Sequence, residues 1–336
     1  MVPAREHSMN GGQIAILGAG SLGRLWAALL PSGECGFLPR LASIEGAGDQ
    51  AERTRQPRNF SRQESLSETR CEYILVRSAS LNSVRKRESI SRPWLSYVEN
   101  VGLLLVTTKA GDTLSALSDW LPHISEDTPI VLFQNGLGSQ QAVVERWPAR
   151  PILAASTTEG ANRPSPDVLV HAGTGDTWVG ALTNSAISIT AGVAQQLAAT
   201  GLGVHAENNI LSRLWQKLVI NAGINPFTAL LDCPNGDILN SPLFQQTADE
   251  LCAEIALLLN AETTEVVLPD VLRKRIEAVA KATATNTSSM RADVQAGRKT
   301  EIDFINGYLV QSGRQHGIPT PVNQMLTERV KSLSVA

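Results

Sequence analysis

Three polar side chains recur at intervals of four residues in an otherwise apolar stretch of the sequence. Lys217, Asn221 and Asn225 lie within Leu214-Trp-Gln-Lys-Leu-Val-Ile-Asn-Ala-Gly-Ile-Asn-Pro-Phe-Thr-Ala-Leu230, and this spacing places them on one face of a helix. An ammonium among apolar side chains is costly unless a partner compensates it. A substrate carboxylate or carbonyl is one candidate partner, and a structural polar contact is the other.

Pro226 interrupts the same stretch, directly after Asn225. A proline inside a helix removes one backbone hydrogen bond and costs about 3 kcal/mol. The sequence therefore predicts either a bend that exposes backbone carbonyls or re-aims Asn225 toward a ligand, or a helix that ends at Asn225 and restarts at Phe227.

A second pattern with chemical meaning lies near the N-terminus. A short apolar strand over residues 13–17 is followed by a glycine-rich loop and an apolar-periodic helix through Leu30. In this context we expect Gly18 to make a tight turn, Gly20 to admit a pyrophosphate and Gly23 to let helix and strand pack closely. A glycine-rich turn between ordinary elements is the alternative. The expected cofactor contacts are Gly18, Ala19, Gly20, Ser21, Leu22 and Gly23.

The next predicted strand, residues 35–38, ends at Pro39-Arg40. NAD-specific proteins place an acidic residue near this point, about 20 residues past the glycines, on the ribose 2′-hydroxyl. A cation instead of a carboxylate favours the 2′-phosphate of NADPH. The alternative is a solvated arginine in a loop.

Two further polar residues follow apolar strands. Lys109 comes after the run 103–107, and Asn135 comes after the run 130–133. Open α/β sheets bind ligands at the carboxyl ends of their strands, which makes both residues candidates for a site. Asn135-Gly136 is equally compatible with a simple turn, and Lys109 with an exposed helix start.

The last candidates lie at predicted helix starts. Thr300 is a plausible N-cap with Asp303 as its box-like partner. Glu301 then falls in the first turn of the last long helix, where the helix dipole favours a negative charge. From the sequence alone Glu301 reads as a helix-start acid, and Ser288 and Ser289 as helix caps.

The order of elements predicts an α/β fold. Apolar runs suited to a parallel sheet covered on both faces occur at residues 13–17, 103–107, 130–133 and 151–156. Residues 168–171 and 177–180 predict a hairpin, and a helix at 189–199 and a strand at 203–205 follow it. Beyond residue 205 the pattern is helical, with helices expected at 209–230, 242–260, 269–283 and 301–316.

These patterns predict a Rossmann-type dinucleotide-binding domain over residues 13–206, followed by an all-helical substrate-binding domain over residues 207–336. Residues 1–12 lack the apolar core of a signal peptide, and we interpret them as a disordered extension. Residues 45–93, rich in arginine and serine, predict solvated loops and a surface helix, with a strand only at 73–76.

Composition narrows the functional class. The net charge of −3 over 336 residues gives no electrostatic case for nucleic acid, and no run reaches the roughly 18 apolar residues of a membrane span. The four cysteines form no Cys-x-x-Cys pair and the histidines show no metal-ligand spacing, so we expect no metal site and reduced thiols in a cytoplasmic protein. The sequence leaves a monomer and a homodimer both open.

Taken together, the motifs resemble those of the ketopantoate reductase family. The matching strings are Gly18-Ala-Gly-Ser-Leu-Gly23, Val106-Thr-Thr-Lys109, Asn135-Gly-Leu-Gly138, the apolar stretch from Leu214 to Ala229, Asn235-Gly-Asp237, Ser288-Ser-Met290 and Thr300-Glu-Ile-Asp-Phe-Ile-Asn-Gly307. The likeness extends from Gln13 to about Pro321 and is strongest in the helical half.

The resemblance implies NADPH-dependent reduction of the 2-keto acid 2-dehydropantoate to pantoate, a step toward coenzyme A. By this resemblance Lys217 matches the catalytic lysine, and Glu301 matches the glutamate that works with it and also contacts the cofactor. Substrate contacts are implied for Asn135, Asn221, Asn225 and Ser289. Cofactor contacts are implied for Asn135, Lys109 and Arg40, where the extra Pro39 puts the register of Arg40 in question.

Two other functions fit parts of the sequence. A related NADP-dependent dehydrogenase of another small keto or hydroxy acid would keep every motif, since fold does not fix substrate. A non-catalytic NADP(H)-binding sensor would keep the glycine loop but would not need Lys217 together with Glu301.

Overall fold

A computed structural model describes residues 12–40, 70–79, 84–95, 97–98, 100–263 and 266–333. The predicted extension lies outside these residues except for Gly12, and so does more than half of the segment 45–93. The described residues form two compact units. The first contains residues up to 108 together with 112–133 and 148–207, and the second contains 109–111, 134–147 and the residues from 208 onward.

The first unit is built on a sheet of seven strands in the order β11-β10-β7-β6-β5-β1-β2. Its strands are β1 (Gln13–Leu17), β2 (Cys35–Leu38), β5 (Val101–Val106), β6 (Ile130–Leu132), β7 (Ile152–Thr157), β10 (Asp176–Ala181) and β11 (Gly203–Ala206). All neighbours pair in parallel except β7 with β10. The predicted α/β fold is therefore confirmed.

The strand order explains where a ligand would bind in this sheet. From β1 the chain continues to β2 on one side, and later to β5 on the other side. Such a reversal creates a crevice outside the carboxyl ends of the strands, where open α/β sheets bind their ligands. The loop that begins at Gly18 and the residues after Val106 both lie at these ends.

The core of this unit follows from the continuous apolar strands. The side chains of β1 from Ile14 on, and all those of β6 and β7, are buried, as expected for strands covered on both faces. The helices of this unit are α1 (Ser21–Leu29), α2 (Thr113–Trp120), α4 (Asn184–Ile187) and α5 (Thr190–Ala198). Trp26 of α1 is fully buried, and its ring centroid lies 5.3 Å from that of Phe133.

A second sheet of four strands, in the order β4-β3-β9-β8, corrects one prediction. Its strands are β3 (Arg70–Ala79), β4 (Val84–Pro93), β8 (Gly160–Ser165) and β9 (Val168–Gly173). The predicted hairpin of residues 168–171 with 177–180 is wrong, because β9 pairs with β8 and β3, whereas β10 pairs in the larger sheet. The tight turn at Pro166-Asp167 connects β8 to β9 instead.

The described part of the segment 45–93 corrects a second prediction. Residues 84–93 form the strand β4, where a loop or surface helix was expected. This strand pairs only with β3, at the edge of the sheet, and edge strands tolerate charged side chains. Lys86 and Arg87 are exposed, whereas Ile90 and Arg92 are buried. The many charged residues of this segment therefore led to the prediction of a loop or helix where the structure has a strand with one buried face.

The second unit is helical in its long C-terminal part. Its helices are α3 (Ser139–Arg146), α6 (Ile210–Leu231), α7 (Pro242–Glu262), α8 (Pro269–Ala282), α9 (Ser289–Gln295), α10 (Asn306–His316) and α11 (Pro321–Leu333). The helix α6 continues through Pro226, so the expectation of a helix that ends at Asn225 is wrong. It begins at Asn209, whose side chain accepts a hydrogen bond from the Ser212 amide.

The predicted helix start at Thr300 is also wrong. A 3₁₀ helix, Ile302–Phe304, follows Glu301, and α10 begins only at Asn306, without a side-chain cap at either start. Glu301 therefore precedes the helical turns instead of lying in the first turn of the last long helix. Ser288 does cap α9, because its hydroxyl accepts from the Arg291 amide at 3.0 Å.

None of the helices in the described residues combines the length and the hydropathy needed to cross a membrane.

Candidate active site

The glycine loop of the first unit makes a close turn between β1 and α1. Gly18 has a φ of +111°, a conformation that favours glycine. A Cβ on Gly23 would lie 2.1 Å from the Gly18 carbonyl oxygen. The Thr107 hydroxyl, just past β5, donates to that same oxygen at 2.6 Å. These contacts hold the start of α1 against the ends of β1 and β5.

The start of α1 fits a phosphate-bearing cofactor. Gly20 is the N-cap residue and supplies no side-chain cap, and the first intrahelical bond runs from the Arg24 amide to the Gly20 carbonyl. The first-turn N–H groups of such a helix point outward with a partial positive charge, which is how helix N-termini bind phosphate. The residues present therefore fit the pyrophosphate of a dinucleotide.

Two arginines brace this loop, and sequence analysis missed both. The Arg24 Nε and an Arg163 terminal nitrogen each donate to the Ala19 carbonyl oxygen at 3.1 Å. Arg24 also donates to the Pro166 carbonyl at 2.6 Å and stacks its guanidinium over the Tyr73 ring at 5.0 Å. The strands that supply Tyr73 and Arg163 belong to the second sheet, whose pairing the sequence did not reveal.

Arg40 is exposed at the end of β2. Its guanidinium lies 3.8 Å from a carboxylate oxygen of Asp112, with 86% and 61% of the two side chains exposed. Such a loose surface pair contributes little to stability. The Arg40 cation is therefore available to an anionic ligand, which would bind it in place of Asp112.

The polar face of α6 in the second unit carries a lysine in an apolar setting. Lys217 is half-buried, and its neighbours along α6, Trp215, Leu218 and Val219, are buried. Burial lowers the pKa of Lys217 from 10.5 to about 8, and the nearby carboxylate of Glu301 opposes the decrease. Within the described residues its ammonium has no hydrogen-bond partner. A lysine with this pKa is able to donate a proton near neutral pH.

Glu301 is held from two sides. One carboxylate oxygen accepts from the Ala110 amide at 3.1 Å, and the other accepts from the Asn135 side-chain amide at 3.1 Å. Burial raises the pKa of Glu301, while these two donors and the Lys109 ammonium lower it. The Glu301 carboxylate, just before the 3₁₀ turn, therefore contacts Asn135 and Ala110 and interacts electrostatically with Lys217.

The loop that follows β6 in the sequence is shaped by its glycines. Gly136 has a φ of +78°, and a Cβ there would lie 2.0 Å from the Phe304 carbonyl oxygen. The Leu137 amide donates to that same oxygen at 2.9 Å. Because backbone meets backbone at this point, Asn135 is locked beside Glu301. Asn135-Gly136 therefore lies in a bend of the chain, and this bend places the Asn135 side chain beside Glu301.

Lys109 belongs to a small charged cluster. Its ammonium lies 2.7 Å from an Asp293 carboxylate oxygen and donates to the Lys299 carbonyl at 2.5 Å. Arg298 binds the other oxygen of Asp293 at 2.9 Å. The carboxylate is largely buried and shared by two cations, so the cluster keeps a net positive charge. Asp293 escaped sequence analysis because nothing in its local pattern marks a contact with a residue far away along the chain.

The remaining candidates lie on α6 and α9. Asn221 is half-buried and Asn225 is buried, and within the described residues neither side chain has a hydrogen bond. Ser289 is exposed at the first position of α9. The Ser288 hydroxyl next to it lies 2.6 Å from that of Thr228 on α6. This contact brings the start of α9 to the polar face of α6.

The second unit therefore brings together Lys217, Glu301 and Asn135. It also carries the side-chain amides of Asn221 and Asn225, which make no hydrogen bond within the described part of the chain. Such a set can polarise a carbonyl, deliver a proton and hold a carboxylate. In the described part of the chain no group of three or more His, Cys, Asp or Glu residues has the closeness that a metal ion needs.

Family models match both halves of the chain. The model described as ketopantoate reductase PanE/ApbA matches residues 14–184, and its C-terminal model matches residues 209–334. The chain belongs to the ketopantoate reductase family. It is similar to a 2-dehydropantoate 2-reductase of Vibrio cholerae, at 36% identity over 71% of this chain and 80% of the relative. A 2-dehydropantoate 2-reductase of Shigella flexneri is 32% identical over 95% and 94% of the two chains.

Solved structures show the same fold in other members and beyond. A family member from Ralstonia eutropha matches with a TM-score of 0.74 at 23% identity, over 96% of this chain and 98% of that one. D-mandelate dehydrogenase with NADH and anilino(oxo)acetate matches with a TM-score of 0.76 at 21% identity and the same coverage. At these identities the likeness concerns the fold, so the substrate has to be argued from the site.

Proposed function

We propose that this chain reduces 2-dehydropantoate to pantoate with NADPH as hydride donor. The observation that carries the proposal is the pairing of Lys217, with its pKa lowered to about 8, and the buried carboxylate of Glu301. Membership of the ketopantoate reductase family agrees with it. When bound, the cofactor supplies the hydride, and the side chains of the protein handle charge and protons.

Lys217 is the proposed proton donor. Reduction of a keto group builds negative charge on its oxygen, and a positioned acid lowers that barrier, typically by a factor of about 10²–10⁴. A free lysine is too weak an acid near neutrality. Desolvation on the apolar face of α6 lowers the pKa of Lys217 to about 8, which brings it close to the working pH.

Glu301 and the amides complete the proposed substrate site. Glu301 keeps the Lys217 ammonium oriented and remains able to accept a hydrogen bond from a substrate hydroxyl. Asn221 and Asn225, whose side chains make no hydrogen bond within the described residues, would bind the carboxylate of a 2-keto acid, and Ser289 would offer a hydroxyl. Asn135 serves both sides, since it fixes Glu301 and borders the proposed nicotinamide position.

The proposed cofactor contacts are distributed over several loops. The residues from Gly18 to Gly23 would hold the pyrophosphate at the start of α1, and Arg40 would bind the 2′-phosphate. Lys109 and Glu301 would contact the cofactor as well. With this assignment we propose domains at residues 13–206 and 207–336 after a short extension, a cytoplasmic location, and a monomer or homodimer.

A steady-state assay tests the function. We expect NADPH oxidation with 2-dehydropantoate at higher kcat/KM than with a panel of other small 2-keto acids. Lys217→Ala should lose about 10²–10⁴-fold in turnover and still bind NADPH. Lys281→Ala, which removes an exposed lysine of α8, is the matched control. Near-normal turnover of Lys217→Ala would remove the assigned proton donor.

The same assay weighs the alternative functions. Preference for another keto acid would make the chain a related dehydrogenase. NADPH binding without oxidation of any keto acid would leave a sensor. Arg40→Ala should weaken NADPH more than NADH, whereas equal weakening of both would remove Arg40 from the 2′-phosphate site.

A further inference from the structure

A backbone carbonyl on α6 has lost its helical partner. Because Pro226 has no N–H, the Ala222 carbonyl four residues earlier cannot form its usual helical bond. The proline stands directly after Asn225, and Ala222 directly after Asn221. The missing bond therefore lies between two amides of the proposed substrate face.

Asn306 fills this gap. Its side-chain nitrogen donates to the Ala222 carbonyl oxygen at 3.3 Å and to the Asn323 side-chain oxygen at 3.0 Å. The Asn306 side chain is fully buried, so neither contact is replaced by bulk water. A side-chain donor thus takes the place of the N–H that Pro226 lacks.

Glu254 sets the direction of this chain of hydrogen bonds. Its carboxylate, 4% exposed, accepts from the backbone amides of Val322 and Asn323 at 2.7 and 3.0 Å and from the Asn323 side chain at 2.6 Å. An ionised carboxylate only accepts, so the Asn323 nitrogen must face it and the Asn323 oxygen must face Asn306. Asn306 is then obliged to present its nitrogen to Asn323 and to Ala222.

The same residue is tied to the segment that carries Glu301. Asn306 begins α10, directly after the short turn that starts at Glu301. In that turn the Phe304 carbonyl accepts from the Leu137 amide in the loop of Asn135. One buried amide therefore connects the helix of Lys217 with the segment of its carboxylate partner.

We propose that Asn306, oriented by Glu254 through Asn323, is a positioning residue of this reductase. It holds the open turn of α6 at Pro226, and with it the placement of Asn221 and Asn225 relative to Lys217. The inference rests on the proposed role of that helix face in binding the keto acid.

Asn306→Leu is the first test, because leucine has a similar branched shape and no donor. We expect a lower Tm and a decrease in kcat of about tenfold or more, within the roughly 10²-fold that a misplacement of about 1 Å can cost. The KM for the keto acid should rise, whereas the Kd for NADPH should not change. Asn260→Leu, at an exposed position of α7, is the matched control and should leave all four quantities near their original values.

Pro226→Ala separates positioning from mere stability. Alanine restores an N–H that can bind the Ala222 carbonyl, so in the Asn306→Leu background it should recover the part of Tm lost with that bond, whereas the Asn323 side-chain oxygen stays without its donor. If the open turn matters for catalysis, the double variant stays impaired in kcat and in the KM for the keto acid. Recovery of both kinetic constants together with Tm would show that Asn306 only satisfies a carbonyl, and would overturn the inference.

The outcomes also distinguish this inference from the proposed function. Full activity of a folded Asn306→Leu protein would overturn the positioning role alone. Absence of keto-acid reduction by the unaltered chain would overturn the proposed function and the inference with it.

Discussion

Two buried glutamates of the second unit differ in what surrounds them. Glu254 accepts three hydrogen bonds, two of them from backbone amides at the start of α11, where the helix dipole also favours a negative charge. Glu301 accepts two hydrogen bonds and lies near the Lys217 ammonium, which has no hydrogen bond among the residues that the structure describes. Burial raises the pKa of both carboxyl groups.

The difference separates a structural carboxylate from one that can take part in chemistry. The three N–H groups that face Glu254 all donate to its carboxylate, so a substitution of Glu254 disturbs packing first. Glu301 interacts electrostatically with Lys217, the proton donor of the proposed mechanism. Burial and a raised pKa alone would not have told the two apart, whereas the count and kind of their donors does.

Glu301→Gln should give the larger effect on catalysis. A glutamine cannot hold the Lys217 ammonium by charge, and its nitrogen would face either the Ala110 amide or the Asn135 amide. We expect kcat/KM to fall about 10²-fold, at the lower end of the range for positioned acid–base groups, with little change in Tm. Glu145→Gln, on the exposed side of α3, is the control. Loss of Tm with full activity would reverse the comparison.

Glu254→Gln should give the larger effect on stability. The glutamine nitrogen would meet an N–H group that now donates to the carboxylate, and leaving buried donors unsatisfied costs about 1–3 kcal/mol. Urea unfolding should show this loss, and turnover of the folded variant should fall less than for Glu301→Gln. Glu250→Gln, exposed on the same helix, should change neither quantity much.

The pH dependence of kcat/KM offers a third comparison. In the proposed mechanism the protonated form of Lys217 is the acid, so we expect activity below its pKa and a decrease as the pH rises through about 8, roughly tenfold per unit beyond. Because Glu301 raises the pKa of Lys217, Glu301→Gln should move this limb to lower pH. Glu254→Gln should leave it in place. A limb unmoved by Glu301→Gln would contradict the electrostatic pairing.

Glu301 could be predicted from the sequence as a site residue, whereas Glu254 could not, and the reason is physical. Glu301 lies in a motif that the family resemblance covers, although the local pattern placed it in a helix turn that the structure does not contain. Glu254 sits inside α7 like any helical glutamate. Its partners Val322 and Asn323 belong to a helix that was not predicted, and no local pattern encodes a contact across that distance.

The sheet shows the same division between local and distant information. Strands β1, β5, β6 and β7 could be predicted because continuous apolar runs mark strands buried on both faces. The edge strand β4 and the partner of β9 could not, because an edge strand carries charged residues and pairing joins distant segments. By contrast, the sequence did predict that Lys217, Asn221 and Asn225 share one helix face, because helical periodicity is local.

Asn135→Leu should have the smallest effect among the predicted changes in activity and stability. It removes one of the two donors to Glu301 and leaves the Ala110 amide in place. Losing one hydrogen bond to a charged group costs about 1.5–3 kcal/mol when nothing replaces it, but the half-buried site admits water, so we expect a decrease in kcat/KM of about tenfold or less.

Asn323→Leu, which removes a donor to Glu254, should instead lower Tm more than activity. If both leucine variants lost activity equally at unchanged Tm, the two carboxylates would be parts of one catalytic unit, and the distinction drawn from their donors would fail.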